Sequence, residues 1–146
     1  MLLWVLRDAN APDPRHLTRP KAVADLLRKS GLIPDDGRKH FGELLLTGKL
    51  TLIAYHEVAV GTVDCVHVSP REVFGPALRV LGTARVILVH DHPSGDVTPS
   101  RDDRVLTRRL VKAGKVLVIK VDDHIIIASG TGGWFSFDDA RLIRRC

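Results

Sequence analysis

The stretch His90-Asp91-His92-Pro93-Ser94-Gly95-Asp96-Val97-Thr98-Pro99-Ser100-Arg101-Asp102-Asp103 concentrates the side chains able to do chemistry. Two imidazoles at i and i+2 follow an apolar, β-branched run, Ala84 to Val89. A kink at His90, favoured by the Pro93-Ser94-Gly95 turn, would aim both rings into one cleft. Asp103 falls on the first turn of the helix that follows, where its carboxylate can return over the strand end. Two imidazoles, one carboxylate and an open water position make a catalytic zinc shell. Zinc in such a shell lowers the pKa of its water toward neutrality and polarises a bound carbonyl. Each residue also has a plainer reading. Ser100-Arg101-Asp102-Asp103 fits an S-x-x-D helix cap, and isolated loop histidines are more often solvated than ligating. Joined at this spacing, at the C-terminal end of a buried strand where α/β sheets place their sites, they favour a metal.

These side chains need elements to position them. Ala84 to Val89 reads as a central strand buried on both faces, ending at His90. A basic helix is predicted over roughly 100–113, stopping at Gly114. Lys115 to Val121 and His124 to Ala128 read as two strands around an Asp122-Asp123 turn. Gly130-Thr131-Gly132-Gly133 is a loop, followed by Trp134-Phe135-Ser136-Phe137 and a short C-terminal helix. Upstream, residues 7–17 read as an irregular arm, and Thr18 caps a helix that carries Pro20 early and runs to Gly31. Pro34-Asp35-Asp36-Gly37 is a turn cluster. Apolar runs over 41–46 and 50–60, separated by Thr47-Gly48-Lys49, predict a hairpin. Ser69-Pro70-Arg71-Glu72 is a capping box that opens an amphipathic helix through Val73, Phe74, Ala77 and Leu78, ending near Gly82. Strands alternating with covering helices imply a three-layer α/β sandwich around a mixed sheet. The expected division is an arm and helix over 1–37 and the main domain over 38–146.

The chain's 146 residues, 45% of them hydrophobic, suit one core that folds without staples. Its apolar runs are too short to span a bilayer, and Met1 to Leu6 lacks the parts of a signal peptide; a cytoplasmic location is expected. Cys65 and Cys146 form no motif and are expected to be reduced. The net charge is +5, with basic residues clustered at Arg101, Arg104, Arg108, Arg109, Lys112 and Lys115, and again at Arg141, Arg144 and Arg145. Such a stripe is either a solvated helix face or a surface for nucleic acid or an acidic partner. Sparse aromatics give little support to single-strand stacking. The H-x-E and P-C-x-x-C of nucleobase deaminases are missing, as is the H-x-H-x-D-H of the metallo-β-lactamase type.

His90-x-His92, with Ser100 and Asp103 at their spacing, resembles the H-x-H-x7-S-x2-D signature of the JAMM/MPN metal-dependent peptidases. Gly61-Thr62, Val68 to Phe74, His92 to Asp96, Pro99-Ser100, Asp123 to Ile127 and Trp134 to Phe137 resemble, in order, its RadC-like branch. The likeness runs over roughly residues 38–142; the helix–hairpin–helix of longer members is not visible. The resemblance implies a JAB/MPN sandwich with one zinc per chain on His90, His92 and Asp103. It implies that the Ser100 hydroxyl stabilises an oxyanion and that a peptide or isopeptide amide is hydrolysed. The competing expectations are a catalytically weak interaction module of the same fold and, from the branch's DNA-repair name, a nucleic-acid-associated protein. Asp123-His124 is either support behind the ligands or an ordinary strand-end turn.

One position departs from the pattern. The family's general-base glutamate precedes a His/aromatic pair, and before His40-Phe41 stands Lys39. A lysine takes no proton near pH 7 unless its pKa falls by several units. Glu43 shares the strand face of position 39 but lies four residues along. Glu57 is the better substitute if Thr47-Gly48-Lys49 makes a three-residue loop, for it then faces position 39 directly. A two-residue turn would instead move Glu57 to the other face.

Overall fold

A computed structural model describes residues 3–4, 17, 19–61, 67–130 and 132–143. The readings made for Thr18, most of the N-terminal arm, Cys65, Arg144, Arg145 and Cys146 lie outside these residues. Six strands form one sheet: β1 (Leu3–Trp4), β2 (Lys39–Leu46), β3 (Leu52–Gly61), β4 (Arg85–His92), β5 (Lys120–Ala128) and β6 (Trp134–Ser136), in the order β1-β3-β2-β4-β5-β6. Among the described strands only β4 and β5 run parallel, and the helix between them makes the crossover that a parallel pair needs.

Helices cover both faces, as the three-layer reading requires. α1 (Pro20–Ser30) presents Val23, Ala24 and Leu27 to Leu44, Tyr55, Val89 and Ile125, and a left-handed Gly31 ends it. On the other face α2 (Pro70–Arg79) and α3 (Arg101–Leu117) bring Val73, Phe74 and Leu110 onto Phe41, Leu45, Leu88 and Ile126. Glu72 Oε2 accepts the Ser69 N–H at 2.7 Å, so the predicted box opens α2.

Several boundaries are corrected. β4 does not stop at His90 but continues through His92, so the two histidines share a face by strand alternation and need no kink. α3 passes Gly114 and ends where Val118 adopts a left-handed φ of 57°. The Ile119 N–H bonds back to Gly114 O at 2.9 Å and closes the turn. Gly114 answers packing: a Cβ there would lie 2.4 Å from Ile119 O and 3.2 Å from Phe74. β5 is one strand. Val86 pairs with Val121 and Ile87 with Asp123, leaving Asp122 as a bulge tied to Arg85 at 3.0 Å. Trp134–Ser136 pairs with β5, and residues 137–141 form turns where a helix was expected: Arg141 takes a left-handed φ of 56°, and the Leu142 N–H bonds back to Phe137 O at 2.8 Å.

The hairpin register is corrected too. Lys39 pairs with Gly61 and Glu57 with Gly42, because the loop is not the expected three residues but runs from Thr47 to Thr51 with Leu46 opposite Leu52, and because bulges lie between Phe41 and Gly42 and between Leu45 and Leu46. Each inserts one extra β3 residue, Val58 and Ile53. The first insertion turns Glu57 to the α1 face.

Candidate metal centre

β4 ends with His90 and His92 on the α2/α3 face, and the first turn of α3 returns Asp103 over them. The three side chains bring ligand atoms within 4.8 Å of one another. His90 Nε2 lies 2.9 Å from His92 Nε2 and 3.4 Å from Asp103 Oδ1, and His92 Nε2 lies 3.3 Å from Asp103 Oδ2. Ligands at about 2.0–2.1 Å in tetrahedral array stand about 3.3 Å apart, close to this spacing.

The local folding explains the placement. Ser100 caps α3: its Oγ accepts the Asp103 N–H at 3.0 Å, and Asp103 Oδ2 accepts the Ser100 N–H at 2.7 Å. The capping reading holds, and it does not preclude metal ligation, because a carboxylate has lone pairs for both roles. His92 Nδ1 lies 2.7 Å from the Asp96 carbonyl oxygen, which can only accept. The Nδ1 hydrogen is committed there, so whenever the ring is uncharged it presents a bare Nε2 to its neighbours. His90 Nδ1 packs 2.7 Å from His124 Nε2, with Phe41 stacked 5.8 Å from its ring.

Protonation follows the same geometry. Burial foremost holds His90 below its ordinary value, against the pull of Asp103, with His92 and Lys39 adding their charge. Burial also opposes a proton on His92, but Asp103 and the Asp96 carbonyl outweigh it and raise its value. Burial works against the Asp103 anion, yet His90, His92 and the Ser100 N–H hold it well below the usual carboxylate range. One anion and two imidazoles with lone pairs turned inward fit a divalent cation.

The comparisons with known proteins agree with this geometry. The RadC-like JAB domain model matches residues 17–142, helix α1 included. The chain belongs to the RadC-like JAB domain family. A UPF0758 protein of Trichlorobacter lovleyi is 44% identical over 128 residues, covering 88% of this chain and 54% of that relative. A UPF0758 protein of Symbiobacterium thermophilum is 44% identical over 141 residues, covering 94% and 57%. One from Geobacter sulfurreducens is 47% identical over 109 residues, covering 75% and 46%. The chain thus spans about half the length of the curated relatives it matches.

Within this JAB domain the other expected residues are dispersed. Glu57, expected to face Lys39, lies on the α1 face, where its Oε1 is 3.1 Å from His40 Nδ1. Asp36 Oδ1 sits 2.8 Å from His40 Nε2. Against the cost of burial, Asp36 and Glu57 raise the His40 value. Glu43 does keep the face of position 39, but it is fully buried and held by His56 Nδ1 at 2.9 Å. Burial pushes its carboxyl up to about 7, against the pull of His56. Half-buried Lys39 begins β2, two residues before the Phe41–His90 pair, and its charge acts on both histidines.

Asp123 turns away from the centre: Ser136 Oγ donates to its Oδ2 at 2.6 Å and the His124 N–H to its Oδ1 at 2.7 Å. Sequence reasoning missed Thr107 and the Asp96 carbonyl. Thr107 carried one usable signal, a hydroxyl four residues after Asp103 on the buried stripe of α3. The Asp96 carbonyl carried none, being main chain.

Proposed function

We propose that His90, His92 and Asp103 hold one zinc ion per chain and that the domain is an amide hydrolase of peptidase or isopeptidase type. The observation that supports this is the convergence of three lone-pair donors, with the ring hydrogen of His92 already committed to the Asp96 carbonyl. When bound, zinc supplies Lewis acidity toward a carbonyl and a water of near-neutral pKa. The chain's own residues supply the remainder. The Ser100 oxygen accepts from Asp103 N–H, which leaves its hydroxyl hydrogen to donate toward charge developing on a substrate carbonyl.

Proton removal is the weak step. Lys39 stands in the base position, Glu57 is engaged by His40 on the other face, and Glu43 is engaged by His56. Slow turnover follows, because a missing general base costs about 10²–10⁴ in rate. The same observation favours a second reading, in which the metal organises a surface that binds a peptide-like partner without cleaving it. A nucleic-acid role rests on the α3 cations alone, and affinity no steeper in salt than that of generic basic proteins would remove it.

The deciding experiment is metal analysis of protein purified without chelator, beside His92→Ala. About one zinc per chain in the parent and a loss in the variant is expected. No zinc in either after reconstitution overturns the proposal.

A further inference from the structure

The ring nitrogens of His124 join two residues of the metal centre. Its Nδ1 lies 2.7 Å from Thr107 Oγ1, its Nε2 lies 2.7 Å from His90 Nδ1, and Thr107 Oγ1 lies 2.6 Å from the Asp103 carbonyl oxygen. The direction of all three bonds follows from their end point. A carbonyl oxygen only accepts, so the single hydroxyl hydrogen of Thr107 goes to Asp103 O. Thr107 Oγ1 must then accept, and His124 Nδ1 carries the hydrogen it receives. His124 is wholly buried, and a cation there would be costly. The uncharged ring has a bare Nε2, which must accept from His90 Nδ1–H. With its Nδ1 hydrogen spent on His124, the neutral form of His90 has a bare Nε2 facing Asp103 and His92.

We propose that Thr107 and His124 are positioning residues that fix the tautomer of His90, so that its lone pair and not its ring hydrogen faces the metal centre. The relay starts on the main chain of one ligand residue, in α3, crosses β5 and ends on another ligand in β4. Its frame is rigid. The His124 ring stacks on Phe137 at 4.7 Å and meets Phe41 edge-on at 5.5 Å, and its carbonyl accepts the Phe137 N–H at 3.0 Å. Without the Thr107 hydroxyl, His124 is free to carry its hydrogen on Nε2 and donate to His90. The His90 hydrogen would then sit on Nε2, where a metal must bind. The purpose of the relay rests on the zinc-binding reading; its geometry does not.

The test uses Thr107→Val, which keeps the side-chain shape in a buried position, and Thr107→Ser, which keeps the hydroxyl. Ring-nitrogen NMR of the metal-free protein reports the tautomer, and competition with a chromophoric chelator reports zinc affinity. The expected result is His90 with its hydrogen on Nδ1 in the parent and in Thr107→Ser. In Thr107→Val it moves to Nε2, with zinc bound about 10–100-fold more weakly, the usual loss for a partner behind a ligand. Zinc binding in the parent with unchanged tautomer and affinity in Thr107→Val overturns the relay and leaves the metal reading standing. If the parent takes up no zinc, the metal reading fails by itself and the metal-free spectrum still decides: hydrogen on His90 Nε2 in the parent overturns the relay.

Discussion

On the proposed hydrolase reading, replacing Lys39 by glutamate should raise the rate of amide cleavage. Position 39 lies two residues along β2 from Phe41, which pairs with His90, so strand alternation places it on the ligand face beside His92. Among the described residues neither candidate glutamate is free to act as base there, since Glu57 is on the other face with His40 and Glu43 lies buried against His56. A positioned base is worth about 10²–10⁴ in rate. Lys39 is the first residue of β2 and only half buried, so a side chain there is loosely held, which argues for the lower end. The expected gain for Lys39→Glu is about a hundredfold, near 2.7 kcal/mol of barrier. Removing the cation should also tighten zinc. The assay is cleavage of fluorogenic peptide amides and an isopeptide-linked peptide pair by zinc-loaded protein, with Glu57→Gln as control. A Lys39→Glu protein that holds zinc yet gains nothing would refute the reasoning, as would loss of parent activity in Glu57→Gln.

Other outcomes follow from the packing. Glu43 has a folded value of about 7 against an ordinary 4.5, so the native state binds the extra proton between those values. Its contribution is present below about 4.5 and is lost as pH rises through about 7. Denaturation of Glu43→Gln beside the parent should show the variant gaining up to about 3 kcal/mol in relative stability from pH 4.5 to pH 8; a flat difference refutes it. Gly114→Ala places a Cβ 2.4 Å from Ile119 O, main chain that cannot swing aside, and should cost about 1–3 kcal/mol in urea unfolding. An unchanged midpoint would contradict the close approach.

How far the sequence reaches is clearest at α3. The S-x-x-D spelling marked both a cap and a ligand, and the cap and the convergence of Asp103 on the histidines both hold, since each depends on residues three apart at a helix start. The i, i+2 histidines were legible for the same local reason, although the strand proved longer than its apolar run. Gly114 misled, because a glycine that ends a helix and one that lets another chain segment approach look alike in one dimension. Asp122-Asp123 misled likewise: the bulge absorbs a residue that sequence can only read as a turn.

The sequence by itself determined the layer order, the alternation of strands with covering helices, and the identity of the three converging side chains. Hydrophobic period and cap chemistry are local, and so is the spacing of two histidines on one strand. Only the tertiary structure decided what stands opposite Lys39 and behind His90. A longer loop and two bulges changed the β2–β3 register, and Glu57 came to the far face opposite Gly42. Packing of α3 on β5 brought Thr107 within 2.7 Å of His124, seventeen residues away. Cross-strand register and helix docking depend on the whole core, and one extra residue in a strand reverses every face beyond it.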